Sequence, residues 1–133
     1  MSIFAIISVI TVAIIHITIS VVEIFFWNNP LVYQRIDYTA EIARKVAPIV
    51  QNARLYNGFI AAGLIWAVFS KNNLLSLRVF FLVCAVIAGI FGALTLKLTT
   101  LVLQTLPAFI ALIIIWLAHS RSNTLVNQIS TNK

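Results

Sequence analysis

Apolar residues come in four long runs, separated by short polar breaks. The first, Ile3 to Trp27, is interrupted only by isolated polar residues. As a helix it would reach about 37 Å, enough to cross a bilayer with some tilt. The later runs predict further spans over about 49–70, 79–96 and 101–118, followed by a polar, frayed tail over 119–133. The last two breaks, "SKNNLLSLR" and "KLTT", are short, so neighbouring spans should run antiparallel.

Residues 28–48 are the one sizeable connection. "NNP" should end the first helix, because Pro30 has no amide proton and restricts Asn29. "TAEIARKVAPIV" then has Ile42, Val46 and Ile49 at helical spacing, and Thr39 is placed to cap it. This predicts a short amphipathic helix at the membrane interface, leading into the second span. The expected architecture is all-α: a polytopic membrane protein, one domain over 1–133, built as an antiparallel four-helix transmembrane bundle.

Composition agrees with that class. Of 133 residues, 62% are hydrophobic and only 9% charged, against about 25% charged in a soluble domain. Mean hydropathy is +1.05. The first run lacks a basic leader and a clean cleavage site, so it is expected to stay as an anchor rather than act as a signal peptide. The net charge of +6 comes from residues scattered over loops and helix ends, which suits lipid headgroups and not nucleic acid.

The four-span reading puts both termini on one side, with Lys71, Arg78, Arg121 and Lys133. Arg35, Arg44, Lys45, Arg54 and Lys97 fall on the other. That balance barely sets orientation; cytoplasmic termini in the cell membrane are the expectation. The single cysteine, Cys84, permits no internal disulfide and reads as an apolar filler.

Polar residues inside the runs carry the chemistry. His16, Ser20, Glu23 and Trp27 are spaced four, three and four apart, which makes one stripe on the first helix. An acidic side chain at mid-span costs about 2.5–3.5 kcal/mol to insert, so the stripe should face protein. Asn52, Tyr56 and Asn57 open the second span, and Gln104 opens the fourth, ahead of Pro107. Cys84, Ala88 and Gly92 form a stripe suited to close helix contact.

In an antiparallel bundle, Glu23, Asn52, Tyr56, Asn57 and Gln104 share one level near the long connection, with His16 deeper. His16 and Glu23 are thus candidate acid–base groups, with Trp27, Asn52, Tyr56, Asn57 and Gln104 as candidate ligand-binding residues. His16 and Glu23 stand roughly 10 Å apart along the helix, too far to share a metal ion. No motif implies a cofactor.

The combination of a His six positions before "EIFFW", then "YNGFIAAGLIW", "GIFGALT" and "QTLPA", resembles a small membrane family, domain of unknown function 1304. The resemblance runs from about His16 to Ala111. Its signature falls on His16, Glu23, Trp27, Asn52, Tyr56, Asn57, Gly89, Gly92, Gln104 and Pro107. It implies four spans and supplies no reaction. Where the family would have "NQG" before the tyrosine, this chain has Asn52, Ala53 and Arg54.

The leading functional expectation is an intramembrane polar pocket for a small lipophilic ligand, with isomerase-like acid–base chemistry. The alternatives are a structural or accessory membrane subunit and a small proton-coupled exporter. Membrane lipids are the expected surroundings, and a homo-oligomer is compatible with the sequence.

Overall fold

The computed structural model describes residues 2–70 and 74–131, and among these there is no strand. Helix α1 spans Ile3–Phe25, α2 Pro30–Tyr33, α3 Ala40–Phe69, α4 Leu74–Thr95 and α5 Leu106–Thr131. A 3-10 turn, Gln34–Ile36, follows α2, and a π-helical turn, Leu101–Thr105, opens α5. Helix α1, helix α4 and the stretch Leu101–Ser122 are each long and apolar enough to cross a membrane. That is the pattern of a multi-pass membrane protein.

Local chemistry sets the helix ends. Ser2 Oγ accepts from the Phe4 amide, and Thr39 Oγ1 accepts from the Ile42 amide, capping α1 and α3. Asn29 Oδ1 accepts from Leu31 N at 2.9 Å, with Pro30 at the first position of α2. Asp37 closes the 3-10 turn in the left-handed region, φ 61°, which aspartate tolerates better than most residues.

Three expectations about the elements are corrected. The amphipathic segment is not a separate helix: α3 runs unbroken from Ala40 to Phe69 with Pro48 inside. Its inward face is Ala43, Val46, Ala47 and Val50, packed around Trp27 and Tyr33, while Ile42 and Ile49 are exposed. The tail is not frayed coil, since α5 continues to Thr131. Of the "SKNNLLSLR" turn, Lys71, Asn72 and Asn73 lie outside the described residues, as does Lys133 in the tail; Leu74 already begins α4.

The helices pack in a ring, α1 on α3, α3 on α4, α4 on α5 and α5 back on α1. Along the α1–α3 seam, Trp27 bonds Ala43, Ile24 bonds Gln51, Glu23 pairs with Arg54 and Ser20 lies against Gly58. Numbers fall on one helix as they rise on the other, so this pair is antiparallel. The core is made largely of small residues, including Ala5, Ala61, Ala67, Ala85, Ala108 and Ala111, while Phe4, Trp66, Phe80, Phe91 and Trp116 point outward. Small residues let the backbones approach closely, while the outward surface is largely apolar.

On α4 the buried seam is Leu82, Ala85, Gly89 and Ala93, one position round from the expected stripe; Cys84, Ala88 and Gly92 are half-buried. A Cβ on Gly89 would stand 2.8 Å from the Thr105 amide nitrogen, so glycine allows α4 to touch the π turn. Arg78 is 1% exposed, and its Nε donates to the Ala67 carbonyl at 3.1 Å. It therefore ends α3 from within and is not a loop charge that sets topology.

Candidate functional site

The π turn has a covalent cause. Pro107 cannot donate to the carbonyl four residues back, and the ladder widens just before it, with the Leu106 amide bonding Leu101 O. The widened turn carries Gln104, which is 4% exposed. Its carboxamide makes no hydrogen bond to another described residue and lines a cleft of about 510 Å³.

That cleft lies between α1, the connection after it, and the α4–α5 corner. One wall is the α1 stripe Ile14, Ile15, Thr18, Ile19 and Val22. Leu31, Val32, Arg35 and Ile36 form a second wall; Leu96, Thr99, Thr100 and Leu103 form a third. Glu23, Arg54 and Trp27 complete it. Arg35 is exposed and Gln104 buried, so the cleft runs from the surface inwards.

Glu23 and Arg54 form an ion pair through Oε2 and Nε, their side chains 22% and 17% exposed. The carboxylate stands in the last turn of α1, where the helix dipole disfavours negative charge, and the guanidinium offsets both that and the dry surroundings. Next to the pair, Gln51 Nε2 donates to Ile24 O at 2.9 Å. Trp27 Nε1 donates to Ala43 O at 2.8 Å, and the indole meets Tyr38 edge to face at 6.1 Å. Trp27 is thus a buried anchor, 1% exposed.

A family model described as a protein of unknown function, DUF1304, matches residues 10–116. The chain belongs to the DUF1304 family. No curated protein and no solved structure matches it. The matched segment of this DUF1304 chain contains every residue of the cleft wall.

The sequence-expected residues divide into three groups. Glu23, Trp27 and Gln104 come together at the cleft. His16 and Asn57 are buried but outside its wall. Asn52 and Tyr56 lie on the exposed face of α3, where Tyr56 packs edge to face on Phe59 at 6.0 Å. Asn52 and Tyr56 share a helical face, as expected, but the inward face is the neighbouring one, Arg54–Asn57–Ala61–Leu64.

His16 is fully buried, with Nδ1 3.0 Å from Val12 O. A carbonyl only accepts, so Nδ1 carries the proton and Nε2 is left as an acceptor. Nε2 has no partner among the described residues. Among those residues no group of three His, Cys, Asp or Glu side chains is placed to hold a metal ion.

Sequence reasoning missed Arg54, Gln51 and the Thr99–Thr100 pair. Arg54 carried a usable signal: it is a cation at the depth of the one carboxylate in the apolar runs. Gln51 carried none, since it bonds a main-chain carbonyl that no side-chain pattern marks.

Proposed function

We propose that this DUF1304 chain is a four-span antiparallel membrane bundle whose cleft binds a small lipophilic ligand. α3 serves as the fourth span, its polar residues turned to the cleft and the interface. One observation carries the reading. A cavity of about 510 Å³, within the size range of ligand sites, has apolar walls and a few convergent polar groups from three helices. Those groups are Glu23 on α1, Arg54 on α3 and Gln104 at the entry to α5. Packing alone does not call for a carboxamide on a buried residue that bonds no other described residue.

The chemistry open to the site is acid–base. Glu23 can take a proton from a carbon acid and return it to another position of the same ligand, a double-bond shift without cofactor. Gln104 can orient a carbonyl or hydroxyl, and Arg54 can hold the carboxylate in place. His16, outside the cleft wall, acts only through the packing of α1 in this reading.

A structural role is the second reading, favoured by the Glu23–Arg54 pair itself: two charges already satisfied by each other need no ligand. The two separate by experiment. In phosphatidylcholine nanodiscs, cetyl alcohol should raise the melting temperature of the parent and raise it less in Ile19→Trp, whose larger side chain would fill the cleft wall. No shift in the parent would leave the structural reading.

A further inference from the structure

The walls of the cleft carry an uneven charge. Three cations stand in or beside it. Arg54 is neutralised by Glu23. Lys97, next to wall residue Leu96, is neutralised by Asp37 at 2.8 Å. Arg35 has no ion-pair partner among the described residues, and it lines the cleft at its exposed end. The same lining includes two adjacent hydroxyl residues, Thr99 and Thr100, on the α4–α5 corner. Neither threonine side chain is engaged in a hydrogen bond to another described residue.

Behind this polar mouth the wall becomes hydrocarbon. Ile14, Ile15, Thr18, Ile19 and Val22 occupy one face of α1 over about 12 Å of helix, with the Thr18 hydroxyl turned back to Ile14 O. The stripe is bounded by Val32 and Ile36 on one side and by Leu103 on the other. The apolar lining is thus centred on one face of a single helix.

We infer that the ligand is a single-chain amphiphile with an anionic head, its head on Arg35, Thr99 and Thr100 and its tail along the α1 stripe. This deepens the proposed function and rests on it. A planar guanidinium suits a carboxylate because its paired N–H groups bind both oxygens together, and hydroxyls can donate to what remains. The Glu23–Arg54 pair then borders the head end of the chain, and Gln104 the carbons just behind it. An unsaturated or oxygenated tail would put its reactive carbons there.

The test compares ligands of one chain length and different heads. The full chain is placed in phosphatidylcholine nanodiscs and titrated with palmitate, cetyl alcohol and cetyltrimethylammonium. Palmitate should bind at least tenfold more tightly than the alcohol. Arg35→Gln should bring palmitate down to the level of the alcohol, while Lys97→Gln should keep the preference. The melting temperature of each variant reports folding.

Equal affinity for palmitate and cetyl alcohol overturns the anionic head but leaves the lipophilic cleft standing. Binding of neither overturns the cleft as a ligand site. A preference that survives Arg35→Gln overturns the assignment of Arg35. Displacement of palmitate by phosphatidylglycerol doped into the disc, at comparable concentration, overturns the single-chain commitment in favour of a bilayer lipid.

Discussion

Glu23 and Arg54 meet across the α1–α3 seam, closing the polar end of the cleft with one pair of opposite charges. Removing either partner should destabilise more than removing both. For fully buried pairs the single loss is about 3–5 kcal/mol. Here it should be smaller, because each side chain keeps about a fifth of its exposure. Thermal unfolding of Glu23→Gln, Arg54→Gln and the double variant gives the coupling directly. Strict additivity would mean that the pair does not act as a unit.

Gly89 is the tightest approach to backbone in the α4–α5 contact. Gly89→Ala should cost about 1–3 kcal/mol, since its Cβ would meet the Thr105 amide nitrogen at 2.8 Å. Gly58→Ala should be far milder: its Cβ meets only the Ser20 hydroxyl, at 3.2 Å. Alanine there also gains helix propensity. Equal melting temperatures for the two variants would contradict this order.

Trp27→Phe keeps the ring but removes the donor to Ala43 O. Ala43 O keeps its place in the helix ladder, so the cost is that of one lost hydrogen bond, about 0.5–1.5 kcal/mol. The loss should appear as faster hydrogen exchange over the first turns of α3, with the far end of that helix unchanged. Uniform exchange along α3 would show that the indole bond does not pin this end.

Arg78→Met should loosen the last turn of α3. Its guanidinium satisfies the Ala67 carbonyl at 3.1 Å and reaches that of Val68 at 3.5 Å. Faster exchange of the Ser70 amide, which donates to Trp66 O, is the expected readout. Unaltered protection there would mean that the carbonyls are satisfied without the arginine.

The apolar runs placed α1, α4 and the start of α5 within a few residues, because a stretch without breakers has one way to satisfy its backbone in lipid. They were less informative for α3. Thr39 was legible as its cap, but the expected short amphipathic helix and the span after it are one helix. Pro48 is accommodated within it, on an exposed face. The meeting of Glu23 and Gln104 at one cleft was legible, because polarity and depth agreed there. The site was misread where polarity was taken as a guide to direction. Asn52 and Tyr56 point outward because Gly58 and Ala61, by being small, decide which face of α3 can meet its neighbours.

Arg78 has a mechanical consequence. It rivets α4 to the end of α3 about 20 Å from Arg54, in a nearly dry setting that salt reaches poorly. At the other end, the α4–α5 corner is held to the connection after α1 by the Asp37–Lys97 contact, whose carboxylate is 77% exposed. The molecule is thus built like a clothes-peg, with a fixed spring end and a jaw fastened by a salt-sensitive clasp. Raising ionic strength should free the jaw while leaving the spring intact.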